Sequence, residues 1–494
     1  MKATPRCVWF ASTATALMLA GCAARPDFKA PPPPGPRALP ATPQATAAAP
    51  GVAAGEPQRF VPGGEISHQW WSVFHARRLD ALIDKALAAN PDLEAAEAAL
   101  RAAHEGVLAQ KAAYLPAVGA DLTATRQRQA GTLAPVPNAN VFQYSLFTPQ
   151  VSVSYAPDVF GLNRRTVEQL EAQEQAVRYQ QAAAYTTLTA NVASTAIQQA
   201  SVEAQIRITR ELIATETELL QIVRRQSAKG YSSGLDVAAQ EAQLAQTRAA
   251  LPPLLRQSAQ LQHQLAALTG AFPGEAPAAG LQLSDLELPR DLPVSLPSAI
   301  VAQRPDVLQA QANLHAASAG IGIAAANRLP NIQLTGDAGS TALTLGRLFG
   351  PGTGFWTLGA AAAAPLFDGG ALRHRARAAR AAYDQAAQQY RSTVLAAFQN
   401  VADVLAALEQ DAEALKAAAA ADRAARTTLE GLKVQLKDGY AGYPAVLAAE
   451  QAYGQAELGL VQAQASRFSD TAALFQALGG GWRGAAAAGG DHGG

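Results

Sequence analysis

Hydrophobic and polar positions along this chain follow two periods, and the switch between them happens twice. From Leu79 to about Tyr114 apolar residues recur at helical spacing, with a step at Asn90-Pro91 where the proline opens a new turn. Leu115-Pro116 ends that helix and the period drops to two. Val118, Ala120, Leu122 and Ala124 alternate with Gly119, Asp121, Thr123 and Thr125, which predicts a strand with one apolar and one polar face. After a Gly/Pro/Asn-rich loop at 129–140 a second strand returns, with Val151, Val153 and Tyr155 alternating with Ser152 and Ser154. The helical period then resumes. Residues 162–229 hold no proline, which predicts a helix on the order of 100 Å long. Within it Val192, Ile206, Ile213 and Leu220 stand at multiples of seven, with Val202 and Val223 as a second row, the spacing of helices packed along a coiled-coil-like seam. Its other faces are Gln, Thr, Ser, Glu and Arg, so it is wetted along much of its length. A returning helix is expected from about Leu235 to Thr269.

The whole series then recurs. NPDLEAAEAAL at 90–100 answers to RPDVLQAQANL at 304–314, with Pro91 and Pro305 separated by 214 positions, as are Pro116 and Pro330. YAPDVFG at 155–161 answers to AAPLFDGG at 363–370, matching Pro157 with Pro365. KGYSSGLDVAAQEAQL at 229–244 answers to DGYAGYPAVLAAEQAY at 438–453, with Tyr231 and Tyr440 separated by 209. Four landmarks in one order mark two copies of a unit of about 200 residues. The second copy predicts a helix over about 298–328 and a strand with Ile332 and Leu334 opposite Gln333, Thr335 and Asp337. A loop at 346–354, a strand begun by Trp356 and Leu358, a helix from about Ala371 to Lys437 and a return from Ala445 to Leu478 complete it. The expected organisation is a leader at 1–21, a linker at 22–64, a first repeat at 65–270, a connector at 271–297, a second repeat at 298–480 and a tail at 481–494.

Composition narrows the picture. The chain has 494 residues with 39 Lys+Arg against 39 Asp+Glu, a balance that argues against nucleic acid as a partner. Apolar residues make up 49% and aromatics only 6%, so much of the apolar content is alanine and the chain is helix-prone without being greasy. No later segment forms an unbroken apolar run long enough for a spanning helix, so any membrane crossing is left to the strands. The two cysteines, Cys7 and Cys22, both lie near the start, which leaves no disulfide framework for the folded body.

The first residues have the form of a secretory signal: Lys2 and Arg6, then a mostly apolar stretch too short to span a bilayer. It ends in Leu19-Ala20-Gly21-Cys22, which resembles the bacterial lipobox. That resemblance implies cleavage before Cys22 and a covalent lipid on it. Ala23 stands where the resembled class carries its inner-membrane retention Asp, so the outer membrane is expected. The Pro/Ala/Gly-rich linker that follows has no pattern to bury.

Taken together, the lipobox, the segment WWSVFHARRLDALIDKALAANPDL at 70–93, the paired helix–LP–strand junctions and the paired GY turns resemble the TolC family of outer membrane efflux proteins, in its lipoprotein (NodT/OprM) branch. The resemblance covers nearly all of 65–480. It implies a mostly α fold with a small transmembrane β part. In a homotrimer each chain would give four strands to one twelve-stranded β-barrel, continued by a long periplasmic α-barrel. Val118, Leu122, Ile332 and Leu334 would then face lipid and Asp121, Thr123, Gln333 and Asp337 water, or the reverse at bulges. The resemblance further implies passive conduction of small molecules, driven by an inner-membrane pump of the resistance-nodulation-division (RND) type through a periplasmic adaptor. It implies no cofactor beyond the lipid on Cys22.

In that family the gate and adaptor contacts lie at the periplasmic helix turns, here 229–237 and 438–446. Gly230 and Gly439 suit tight turns at positive φ, and Tyr231 and Tyr440 would sit at the tip. Two readings stand for Asp236: facing a narrowing pore, or capping the returning helix. Where some members carry gate aspartates this chain has Ala445, Ala448 and Ala449, so closure by packing of Tyr440 and Tyr443 is expected instead. Gly230-Tyr231-Ser232-Ser233-Gly234 also fits the G-x-S-x-G elbow of hydrolases, but it joins two helices rather than a strand and a helix, and its repeat partner has Ala441 where the serine belongs. Gly479, Gly481 and Gly484 fit G-x-G-x-x-G with no strand before them. The seven histidines show no ligand spacing, so neither a catalytic nor a metal site is expected. The remaining rivals are a lipoprotein hydrolase using Ser232 and a purely structural periplasmic coiled coil.

Overall fold

The computed structural model describes residues 28–29, 45–63, 66–128, 143–275, 280–294 and 301–482. Cys22, the 129–140 loop and the tail beyond Trp482 lie outside them. The chain divides into two compact units, each assembled from three stretches of sequence: Met1–Pro31, Leu100–Val177 and Ala310–Tyr390 in the first, and Pro32–Ala99, Arg178–Gln309 and Arg391–Gly494 in the second.

In chain order the helices are α1 (Arg77–Ala89), α2 (Pro91–Lys111), α3 (Leu162–Ala228), α4 (Gly234–Leu268), α5 (Pro305–Ala326), α6 (Ala371–Lys437) and α7 (Tyr443–Ala477). The strands are β1 (Arg59–Pro62), β2 (Ala117–Arg128), β3 (Gln143–Tyr155), β4 (Asp291–Val294), β5 (Asn331–Ser340) and β6 (Gly354–Ala363). The repeat is metrically close: α3 and α6 each have 67 residues, α4 and α7 each 35. From α3 onward the copies are offset by 209, as Leu162 and Ala371 show, and up to β5 by 214, as Pro91 and Pro305 show. The same registry covers the strands. Ala117 faces Ser154 in the first copy, and Asn331 faces Ala363, their counterparts at 214 and 209, in the second. This corrects the match of Pro157 with Pro365: pairing puts Leu366, one residue on, at the place of Pro157.

The first unit holds an antiparallel sheet ordered β2-β3-β5-β6. Directly paired residues share a face. Val118, Val153, Gly336 and Leu358 therefore line up across all strands on one face, and Gly119, Ser152, Asp337 and Thr357 on the other. The apolar face gathers Val118, Leu122, Val151, Val153, Leu334, Trp356 and Leu358, all exposed. An apolar sheet face of that size left open to water marks a surface meant for another apolar phase or partner. Around the sheet, α2 is tied to α3 by Lys111–Glu171 at 2.8 Å and His104–Glu174 at 3.2 Å, and α5 to α3 by His315–Glu168 at 3.1 Å.

The second unit carries the main core. Trp70, Trp71 and Phe74 are buried with Leu79 and Ile83 of α1, Val192 and Ile197 of α3, Leu265 of α4 and Phe468 and Phe475 of α7. Leu281, Leu283, Leu286 and Leu288 of the connector join them, and β4 pairs in parallel with β1 from Arg59–Asp291 onward. The repeat is written into its joints. Asn90 donates to the Leu268 carbonyl at 3.0 Å, and its counterpart Arg304 donates to the Ala477 carbonyl at 2.8 Å. Asn90 also caps α2, accepting from the amides of Asp92 and Leu93.

The heptad stripe of α3 is buried at Val192, Val202, Ile206, Leu220 and Val223. In α6 Tyr390, Val394, Ala397, Val401, Leu405, Leu408, Ala412 and Leu415 make an equivalent stripe that alanine-rich composition concealed. As the expected return over 235–269 requires, α4 continues through Pro252-Pro253. Both prolines are exposed, so solvent can take up the carbonyls they leave without a helical donor.

On the α6/α7 pair burial and the neighbouring Asp411 carboxylate push the Asp470 carboxyl up to about 7. An acid whose pKa is raised by folding adds stability while protonated and loses it as pH rises from 3.8 towards 7. Asp470→Asn keeps the side-chain size and removes the titration. Its melting temperature should fall less than the wild type's between pH 5 and pH 8; parallel pH profiles would show that the pair does not titrate in this range.

Candidate functional site

The two helix turns that sequence pointed to lie in the second unit and are built alike. The Gly230 amide donates to the Ser227 carbonyl and the Tyr231 amide to that of Gln226, both at 2.9 Å; in the second copy Gly439 donates to Leu436 and Tyr440 to Gln435. These are Schellman closures, which need a left-handed residue at the first position after the helix. Gly230 has φ +80° and Gly439 φ +79°. The following tyrosines project outward, Tyr231 at 82% exposure and Tyr440 at 87%.

The starts of the returning helices differ. In the first copy Ser233 and Asp236 form a capping box: the Asp236 amide donates to Ser233 Oγ at 3.1 Å, and the Ser233 amide donates to Asp236 Oδ2 at 2.8 Å. The Ser232 hydroxyl also donates to Asp236 Oδ2, at 3.1 Å. These bonds, the Ser233 amide first, hold the Asp236 carboxyl below its ordinary value. Of the two readings of Asp236, the capping one is realised. Ser232 is committed as a donor to a capping carboxylate, an arrangement unlike an activated nucleophile. In the second copy Gly442 is the N-cap and Pro444 follows within the first turn, a cap made by backbone shape alone.

Tyr443 does not sit at the tip with Tyr440. It is buried, and its hydroxyl donates to Gln240 Oε1 of α4 at 2.8 Å. Gln240 Nε2 in turn donates to the Glu216 carbonyl of α3 at 3.1 Å. Tyr443 is the first residue of α7, and an aromatic ring there is drawn between the helix pairs rather than outward. Behind it Glu450 is buried and meets Lys433 of α6 at 3.3 Å. Buried Glu216 accepts from Thr247 Oγ1 at 3.0 Å and from Gln243 Nε2 at 3.2 Å. Burial pushes the Glu450 carboxyl up, Lys433 opposes the rise and Glu216 adds to it. Glu216, Gln240, Lys433 and Glu450 were not singled out from sequence. The available signal was Glu450 falling one turn after Val446, on the face that also carries Ala449.

The buried polar link from Tyr443 through Gln240 to Glu216 holds the helix pair of one copy to that of the other. Tyr443→Phe would strand Gln240 Oε1, at about 1–3 kcal/mol. The expected result is faster amide hydrogen exchange in 436–446, with the turn at 228–234 following; unchanged exchange in both turns would contradict the link's role.

Among the described residues no group of three His, Cys, Asp or Glu side chains is placed to hold a metal ion, and no helix is long and apolar enough to cross a membrane. The model of the outer membrane efflux protein family matches residues 82–271 and 296–480, one match per repeat. The chain belongs to that family. It is 31% identical to the antibiotic efflux pump outer membrane protein ArpC of Pseudomonas putida over 472 residues, covering 95% of this chain and 94% of that one. It is 30% identical to the pyoverdine export outer membrane protein OpmQ of Pseudomonas putida, covering 84% of this chain and 88% of that one. The open-state MtrE outer membrane channel of Neisseria gonorrhoeae superposes with a TM-score of 0.80 at 28% identity, covering 93% of this chain and 99% of that one. Two family relatives of similar likeness thus carry different cargoes in their names, an antibiotic and pyoverdine. Likeness at this level gives the channel and leaves its cargo open.

Proposed function

We propose that this efflux-family chain is the outer membrane duct of a tripartite export system. Three copies join their four-stranded sheets into one barrel in the outer membrane, and the long helices carry the bore into the periplasm. Small molecules pass through it passively. An inner-membrane RND pump supplies the drive, and a periplasmic adaptor docks at the helix turns around Gly230, Tyr231, Asp236, Gly439 and Tyr440, with Tyr443 holding the helix pairs behind them. Cys22 carries the lipid that anchors the N-terminus. The duct performs no covalent chemistry and needs no cofactor.

The observation that carries this reading is the sheet with one exposed apolar face and one polar face. A four-stranded sheet of that kind is stable neither in water, for its apolar face, nor alone in lipid, for its two open edges. Closure among copies inside a membrane removes both costs.

Topology tests it. Phe349→Cys, in the exposed turn between β5 and β6, should react with a membrane-impermeant maleimide on intact cells. Tyr440→Cys should react only after the outer membrane is permeabilised. If both sites stay protected until permeabilisation, the strands do not cross the membrane and the periplasmic coiled-coil reading takes over.

A further inference from the structure

Resting on the multi-copy barrel just proposed, we infer the register and the contacts of the seam at which one copy meets the next. Among the described residues β2 and β6 each pair on one side only. The chain already contains one seam between repeats, where β3 meets β5. It runs from Gln150 opposite Gly339 to Tyr155 opposite Leu334. Because β6 repeats β3 at 209 and β2 repeats β5 at 214, β6 of one copy meeting β2 of the next is the same seam moved by the repeat. Its pairs are Gly359 opposite Thr125, Ala360 opposite Ala124, Ala361 opposite Thr123 and Ala362 opposite Leu122 of the second copy. Odd numbers meet odd and even meet even, so the apolar and polar faces both continue unbroken across the join.

The transfer turns Val153 opposite Gly336 into Ala362 opposite Leu122, so that one large and one small member still meet there.

The foot of the seam explains an otherwise costly exposure. Inside the chain Leu329 lines one cleft with Pro157, Val159 and Phe160, and is half-buried there. Its counterpart Leu115 is 70% exposed, and Leu366 and Phe367, at the places of Pro157 and Asp158, are 99% and 93% exposed. In the moved seam these three side chains come together: Leu366 and Phe367 of one copy line one cleft with Leu115 of the next, as Pro157 and Asp158, whose places they take, do with Leu329.

Cysteine pairs in the full chain, oxidised mildly in isolated outer membranes, test the register. Directly opposite residues have Cβ atoms about 4.5–5.5 Å apart, within reach of a disulfide, whereas diagonal neighbours stand about 7–8 Å apart. Ala361→Cys with Thr123→Cys should shift the monomer band to linked dimers and trimers on non-reducing gels. Ala361→Cys with Asp121→Cys or with Thr125→Cys should link poorly, and each single variant not at all. Faster linking by either offset pair overturns the register while leaving the barrel intact. No linking by any pair in particles that still have the mass of several copies overturns the seam. A monomeric mass for the wild type removes both the seam and the channel reading beneath it.

Discussion

Arg467→Ala is expected to release the N-terminal strap from α7 and to lower the stability of the second unit severely. Arg467 is fully buried. Its guanidinium donates to the carbonyls of Ala54 and Glu56, to Thr46 Oγ1 at 2.8 Å and more weakly to Gln58 Oε1 at 3.5 Å. Gln58 continues the link to the Pro289 carbonyl at 3.2 Å and to Thr471 Oγ1 at 3.3 Å. One side chain thus supplies the donors for a segment, 45–58, that otherwise has little regular structure. Burial pulls the Arg467 pKa down to about 10, so the group stays charged at any physiological pH. Truncation strands several acceptors, each costing about 1–3 kcal/mol. Limited thermolysin digestion with mass spectrometry should find new cuts within 45–58. Arg467→Lys keeps the charge but not the fork of donors, and should be intermediate. A digestion pattern unchanged in the alanine variant would mean that the strap is held by β1–β4 pairing alone.

Trp70→Ala should be the other most damaging substitution. The ring is fully buried, stacks on Phe475 with centroids 5.4 Å apart, meets Phe74 and Trp71 edge-on, and donates from Nε1 to Thr189 Oγ1 at 3.4 Å. It therefore joins the segment before α1 to both α3 and α7. Removing it opens a cavity among aromatic neighbours too constrained to collapse, at about 3–5 kcal/mol. Thermal unfolding followed by circular dichroism at 222 nm should show a clear drop in melting temperature, with Trp70→Phe recovering most of it. Equal melting of Trp70→Ala and wild type would show that the assembly, not this core, limits stability.

Neither residue stands out by periodicity in the sequence. The strands were legible because a period of two in Val118–Ala124 and Val151–Tyr155 has few alternatives once Leu-Pro closes the preceding helix. The repeat was legible from Pro91, Pro305, Tyr231 and Tyr440, but matching Pro157 to Pro365 missed the true registry by one. Backbone pairing sets that registry, and proline takes no part in pairing as a donor. The buried stripe of α6 was hidden because Ala397 and Ala412 look no different from alanines facing water. At the turns Gly230 and Gly439 were legible because positive φ selects glycine, whereas the bond from Tyr443 to Gln240 joins residues 203 positions apart and leaves no local signal. Buried charge was missed altogether: Arg467 and Glu450 both lie on α7, where their spacing looks no different from that of other charged residues, and only the three-dimensional partners, the strap and Lys433, make them internal.

The central claim is that copies of this chain close one hollow channel. Single-particle electron microscopy of the protein purified from outer membranes into lipid nanodiscs tests it directly. The account predicts three copies around one axis, their four-stranded sheets joined into a continuous barrel inside the disc and the helices extending beyond it. A single copy in each particle, with β2 and β6 left open at the edges of a separate sheet, would contradict it.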